Sequence, residues 1–405
     1  MRMFIGLCSL LMACGGTTTT TEASMSHVTT FGEDATFLRA HLPSLVVLAR
    51  GNARVAIAPE YQGRVMTSSA RGETGVSCGW IHRSLVERAE RQPHMNAFGG
   101  EDRFWLGPEG GQFGLYFAPG APFDLEHWQV PEAIDWGAWD VTERSASHVS
   151  FRRDVSLVNA SGTAFSIRID RRVELIDEGS LAAMIEHRTD VDAVGYASVN
   201  AITNAGGVAW TDATGLVSIW ILSMYPPSPR ATVVIPFRRD ASGPIVNDAY
   251  FGPVPADRLR IDEERGVLFF RADGERRSKI GVSQARATDA MGSWDPQRGV
   301  LTIVRATLPT SPAPYVNSMW ETQREPYAGD ALNSYCDGPT GPGQPPLGPF
   351  YELESSSPAA ALAPGARLEH TQTTVHVEGP RTALDAIARA RFGVGLDEIE
   401  HALER

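Results

Sequence analysis

Residues 148–175 hold the pattern that most restricts what this chain can fold into. Val149, Phe151, Val155 and Leu157 alternate with His148, Ser150, Arg152, Asp154 and Ser156. The turn Asn159-Ala160-Ser161-Gly162-Thr163 follows. On the return, Phe165, Ile167, Ile169, Val173 and Leu175 alternate with Ser166, Arg168, Asp170, Arg172 and Glu174. A period of two on both sides of a glycine-containing turn marks an antiparallel hairpin with one buried face. Two residues break the pattern: Arg153 and Arg171 occupy apolar positions. A charge on an inner face is costly unless it is paired. Either a bulge shifts the register, or a structural ion pair absorbs the charge, or that face meets a polar ligand.

Further strands are expected at Val55–Ala58, Arg64–Ser68, Val194–Ile202, Val217–Leu222, Thr232–Pro236, Gly266–Ala272, Lys279–Ser283, Val300–Leu308, Phe350–Glu354 and Thr371–Val377. With 39 glycines and 27 prolines dispersed through 405 residues, the connections are short and turn-rich, which excludes a helical bundle or coiled coil. Only the end reads as helical: Thr382–Phe392 carries Leu384, Ile387 and Ala388 on one face, Gly393 stops it, and Leu396, Ile399 and Leu403 recur at helical spacing. The fold class is all-β, a large antiparallel sandwich over 31–379 with a helical appendage over 380–405. A net charge of −12 repels phosphate backbones and argues against nucleic acid as a partner. No internal stretch reaches the roughly 18–20 apolar residues of a membrane span. Lys279 is the chain's single lysine, which reads first as genome composition.

The N-terminus has one positive charge, a short apolar run from Phe4 to Met12, and then Ala13-Cys14-Gly15-Gly16. This is the pattern of a secretory signal. Leu11-Met12-Ala13-Cys14 resembles the lipobox of bacterial lipoproteins, which implies a signal peptide over 1–13, an acylated Cys14 and a polar tether over 14–30. The expected location is the cell envelope, periplasmic or outer-membrane, with the membrane met only through the lipid. Of the other cysteines, Cys78 and Cys336 would either bridge or remain two buried thiols. No Cys-x-x-Cys or His-x-x-x-His spacing supports a metal site, and neither metal nor cofactor is expected.

Chemistry-bearing residues concentrate in three places. The run from His94 to Gly111 mixes Glu101, Asp102, Arg103, Trp105 and Glu109 with flexible glycines. Sugars ask for that mixture, with carboxylates and guanidinium for hydroxyls and an aromatic face for the pyranose ring. The alternative is a polar loop around Phe104 and Trp105, with Asp102 and Arg103 as a structural pair. A second set, Ser318-Met319-Trp320-Glu321-Thr322-Gln323 and on through Asp330, Asn333, Tyr335 and Asp337, lies on what reads as a long loop, either one that grips hydroxyls or a solvated one. Asn200 and Asn204 are either turn formers or amides facing a cleft. In the third, alternation puts Tyr351 and Leu353 on one strand face and Glu352 and Glu354 on the other. Small hydroxyl residues follow and could orient Glu354 as a general base.

A strand ending in Glu354-Ser355, Pro358 shortly after, the turn Leu362-Ala363-Pro364-Gly365 and a final strand together resemble the C-terminal region of the galactose mutarotase-like, or aldose 1-epimerase, superfamily. Tyr61-Gln62-Gly63-Arg64-Val65-Met66 resembles that superfamily's opening strand. Phe98–Gly111 and Phe350–Pro358 are also similar to a group of secreted bacterial proteins of uncharacterised role associated with it. The resemblance implies a β-supersandwich, a sugar substrate and Glu354 as catalytic base. The superfamily's acid is a histidine in a central strand, and Tyr196–Asn204 has none. His94 is then the nearest substitute and His127 the next. The resulting expectation is a lipid-anchored sugar-binding protein with epimerase-like acid–base chemistry. Glu354 and His94 would be catalytic, and Glu101, Asp102, Arg103, Trp105, Glu109, Arg171, Asn200, Asn204, Trp320 and Asp337 would meet the sugar. The alternatives are a non-catalytic glycan-binding lipoprotein, a lyase or hydrolase on the same scaffold, and a structural envelope protein.

Overall fold

A computed structural model describes residues 28–341 and 343–404. The expected signal peptide, Cys14 and the expected tether up to residue 27 lie outside the described residues. Eighteen strands follow in chain order: β1 (Val46–Arg50), β2 (Ala53–Ala58), β3 (Arg64–Ser69), β4 (Arg103–Gly107), β5 (Asp140–Arg144), β6 (His148–Val158), β7 (Ala164–Leu175), β8 (Asp192–Asn204), β9 (Ser218–Tyr225), β10 (Thr232–Pro236), β11 (Leu259–Asp262), β12 (Val267–Arg271), β13 (Ser278–Ser283), β14 (Ala290–Asp295), β15 (Val300–Ala306), β16 (Asp330–Cys336), β17 (Tyr351–Ser356) and β18 (Arg367–Glu378). They form three antiparallel sheets: β1-β2-β3; a ten-stranded sheet ordered β11-β12-β10-β14-β15-β18-β8-β7-β6-β5; and a five-stranded sheet ordered β13-β16-β17-β9-β4.

The ten- and five-stranded sheets pack face to face. Val233, Leu268, Phe270, Met291 and Val304 of the larger sheet meet Ile280, Val282, Leu332 and Leu353 of the smaller in one buried cluster. The opposite parity of the large sheet, including Val234, Phe269, Ile303, Val375 and Val377, is covered by Leu384, Ile387, Ala388 and Phe392 of the C-terminal helix Arg381–Phe392 and by Leu396 and Ile399 of the helix Leu396–Glu400. Gly393, at φ +76°, ends the first of these helices. The all-β class and the helical end match the sequence reading.

Several elements differ from that reading. A helix, Phe31–His41, opens the domain with a capping box between Thr30 and Glu33, a signal the strand-dominated pattern hid. Arg103–Gly107 and Asp330–Cys336, read as loops, are strands inside the five-stranded sheet. Both faces of these strands are buried, so the alternation that identifies a half-exposed strand is absent. β6 and β7 pair in unbroken register from His148 opposite Glu174 to Val158 opposite Ala164, so no bulge separates them. Arg153 is exposed, whereas Arg171 is 1% exposed and satisfied by protein.

Arg171 Nη2 donates to Asp102 Oδ1 and to the Asp102 carbonyl, Nη1 to Asn200 Oδ1 at 2.7 Å, and Nε to the Gly63 carbonyl at 3.0 Å. Asp102 also accepts from Ser198 Oγ at 2.8 Å. One guanidinium therefore joins the entry to β3, the residue before β4, and the β7–β8 pair. Gly99 and Gly100 let the chain reach this point: their φ values are +94° and +104°, and a Cβ on Gly99 would lie 2.1 Å from the Trp80 carbonyl oxygen. Nearby, Glu101 Oε2 accepts from His376 Nε2 at 2.6 Å, and Ser355 Oγ lies 2.8 Å from both His370 Nε2 and Gln372 Oε1. The inner face thus carries a polar seam, fully buried, between the two sheets.

Removing one partner from a buried ion pair strands the other, so Asp102→Ala is expected to cost ~3–5 kcal/mol in urea unfolding. Arg153→Ala, at an exposed position, is expected to stay within about 0.5 kcal/mol of the parent. Equal effects for the two would contradict the role given to Arg171.

Candidate functional site

The other face of the five-stranded sheet is where chemistry-bearing side chains gather. Strict alternation puts Arg103 and Trp105 of β4, Trp220 and Leu222 of β9, Glu352 and Glu354 of β17, Asn333 and Tyr335 of β16, and Lys279 of β13 on that side. The register makes them neighbours: Trp105 is opposite Trp220, Leu222 opposite Glu354, Glu354 opposite Asn333, Glu352 opposite Tyr335, and Tyr335 opposite Lys279. Loops add Glu109, Trp128, Tyr250, Phe251, Arg277 and Trp320 around it. The result is a cleft with about 560 Å³ of empty volume, part of it open to solvent.

Its walls are aromatic. Trp128 and Trp320 stack with ring centroids 5.9 Å apart, Trp105 meets Trp220 edge-on at 5.6 Å, and Phe251 lies 6.0 Å from Tyr335. Its floor is charged. Arg103 Nη2 donates to Glu352 Oε1 at 2.7 Å, while its guanidinium carbon sits 3.9 Å over the Trp105 ring. Lys279 Nζ donates to Glu354 Oε2 at 2.8 Å, Trp220 Nε1 donates to the same oxygen at 2.9 Å, and the ammonium lies 4.6 Å from the Trp220 ring. Glu354 is wholly buried beneath these two side chains, with Oε1 left without a partner among the described residues. It therefore reaches the cleft through Lys279 and Trp220.

Two carboxyls line the cleft itself. Burial raises Glu352 to about 7; Arg103 opposes this and the charge of Glu354 adds to it. Burial also raises Glu109, with Lys279 and Arg277 opposing, Glu354 adding, and the Trp320 indole bonded to the carboxyl. Both hold a proton to higher pH than an ordinary carboxylic acid, the property that general acid–base chemistry near neutrality requires. Asp337 stands behind the wall: it accepts from Tyr335 Oη at 2.8 Å and from the Gly348 amide at 2.7 Å, which fixes Tyr335 and the loop before β17.

Of the residues singled out in the sequence, the fold brings Arg103, Trp105, Glu109 and Trp320 into the cleft, with Glu354 and Asp337 directly behind it. Others are elsewhere. Glu101, Asp102, Arg171 and Asn200 lie buried in the seam between the sheets, Asp102, Arg171 and Asn200 bonded to one another and Glu101 to His376. Asn204 ties the end of β8 to the Val208 and Leu362 carbonyls, the turn-forming alternative. His94 does not line the cleft; its Nδ1 lies 2.7 Å from the Trp128 carbonyl, so it braces the loop that carries Trp128. His127 is exposed and pairs with Asp124. Cys78 and Cys336 are separate buried thiols. Trp220, Lys279, Glu352 and Arg277 were missed, whereas Tyr335 belongs to the second set read in the sequence. Glu352 shares the Glu354 parity and was within reach, and a single lysine beginning a predicted strand was a signal read only as composition. Among the described residues no group of three or more His, Cys, Asp or Glu side chains is arranged to hold a metal ion, and no helix is long and apolar enough to cross a membrane.

A model described as a family of unknown function, DUF6786, matches residues 29–403. The chain belongs to that family. No curated protein matches it. Among solved structures it is similar to a candidate aldose 1-epimerase from Escherichia coli K12, with 14% identity over 83% of this chain and 99% of that one at a TM-score of 0.48. It is also similar to a galactose mutarotase-like protein from Lactobacillus casei ATCC 334, with 13% identity over 83% and 99% at 0.45. A galactose mutarotase related enzyme from Lactobacillus acidophilus follows, with 8% identity over 82% and 97% at 0.44.

Lys279→Met leaves Glu354 buried without its cation and is expected to cost ~3–5 kcal/mol in denaturant unfolding, with Lys279→Met/Glu354→Leu recovering most of it. A single variant within about 0.5 kcal/mol of the parent would show that the pair does not hold the cleft floor.

Proposed function

We propose that this cleft binds a sugar and carries out acid–base chemistry on it, of the kind that opens and recloses an aldose ring. One observation carries the reading: one face of the five-stranded sheet and the loops around it bring aromatic walls and two protonatable carboxyls to a single hollow. Flat indole surfaces suit the apolar face of a pyranose, and carboxyl and guanidinium groups suit its hydroxyls. Glu352, held by Arg103, is the base that takes the proton of the anomeric hydroxyl. Glu109 is the acid that protonates the ring oxygen. Ring opening moves one proton each way, and closure reverses both, so neither metal nor redox cofactor enters the balance. Glu354 takes a positioning role through Lys279 instead of the direct role implied by the sequence resemblance, and His94 takes none.

Trp320→Ala is expected to weaken hexose binding by about 10-fold or more in calorimetry, the loss of a stacking surface worth about 1.4 kcal/mol. Glu109→Gln should keep binding but remove the enhancement of anomer interconversion followed by NMR, while His94→Gln should leave both as in the parent. Binding with no enhancement in the parent would favour a non-catalytic glycan-binding protein. Absence of binding would contradict the sugar reading.

The lipobox-like Leu11-Met12-Ala13-Cys14 supports a second proposal, attachment to the cell envelope through an acylated Cys14. Cys14→Ser should move the protein from the membrane fraction to the soluble fraction; retention in the membrane fraction would contradict it.

A further inference from the structure

The three cations of the cleft are not equivalent. Arg103 is committed to Glu352 and Lys279 to Glu354. Arg277 is different. Its Nε donates to Tyr335 Oη at 3.3 Å and its guanidinium carbon lies 4.0 Å from the Phe251 ring, so the plane is held from two sides. Tyr335 is itself anchored on Asp337 at 2.8 Å. Among the described residues no carboxylate pairs with Arg277, and its two terminal nitrogens have no protein acceptor. Glu109 and Arg277 both line the cleft, and among the described residues no ion pair joins them.

A guanidinium whose rear edge is fixed and whose terminal nitrogens are unpaired is prepared for two parallel hydrogen bonds to a planar oxyanion. Fixing the side chain beforehand lowers the ordering cost of binding. A dianion fits less well, because Glu109 and Glu352 line the same cleft as the one uncommitted positive charge. Building on the sugar-binding reading, we propose that the cleft is selective for a sugar bearing a single carboxylate, a hexuronate at a free monosaccharide or chain end, with Arg277 clamping the carboxylate and Trp320 and Trp128 walling the ring. The chain's overall charge of −12 would repel such a ligand, so recognition must be local and made by this group.

The test is calorimetric titration of the full chain with D-glucuronate, D-galacturonate, D-glucose, D-galactose and glucose 6-phosphate. The parent protein should bind each uronate about 10-fold or more tighter than its neutral parent sugar, the scale of a charged hydrogen-bonded pair. Arg277→Gln should bring the uronate-to-neutral ratio close to one, and Arg277→Lys should restore only part of it. The ratio is the readout because it cancels any loss common to all sugars. A ratio near one in the parent, a preference that survives Arg277→Gln, or tighter binding of glucose 6-phosphate than of both uronates would overturn the proposal while leaving sugar binding intact. Failure of every sugar to bind would overturn both.

Discussion

Arg171 is the tie on which the architecture depends. It stands where a hairpin pattern calls for a hydrophobe, and burying a guanidinium is unfavourable unless its donors are met. Here they are met by Gly63, Asp102 and Asn200, which belong to the three-stranded, five-stranded and ten-stranded sheets or their approaches. Because Asp102 immediately precedes β4, the same contact sets which residues of β4 face inward. Phe104 packs in the interior, and Arg103 and Trp105 turn outward to the cleft. A structural charge on one side of a strand thus fixes the register of functional side chains on the other.

The cleft repeats this division of labour. Glu354 and Lys279 form a buried pair whose geometric effect is to hold an ammonium and an indole at the floor, and Asp337 similarly holds Tyr335. The groups left for a ligand are those whose bonding is incomplete or whose proton affinity is tuned: Glu109, Glu352 and Arg277. In the proposed reading, the base Glu352 sits on β17, whereas the acid Glu109 and the clamp Arg277 sit on loops just beyond the ends of β4 and β13.

The sequence disclosed the period-two strands and the amphipathic end helix because each has one exposed face. It concealed β4 and β16 because both their faces are buried and polar residues such as Arg103, Asp330 and Asn333 interrupt them, whereas β9 and β10, equally buried, read as apolar runs. Asp102 and Arg103 are adjacent in sequence, yet they divide between seam and cleft by parity, and Glu101, just outside the strand, also turns into the seam. Their grouping as one sugar-gripping cluster therefore could not survive folding. Lys279, Trp220 and Arg277 were hidden for a different reason: their meaning comes from cross-strand neighbours 58–134 residues away. Pairing of that kind has no local signature. Glu354 lies on a strand as the sequence reading had it, but its layer, under the cleft floor, is set by packing alone.

The most direct test of the account is a crystal structure of the protein soaked with a hexose at saturating concentration. The account predicts density for one pyranose ring lying against Trp320 and Trp128, with hydroxyl groups within hydrogen-bond distance of Glu109 and Glu352. A hexose bound only outside this sheet face, or a cleft closed by its own side chains under those conditions, would contradict it.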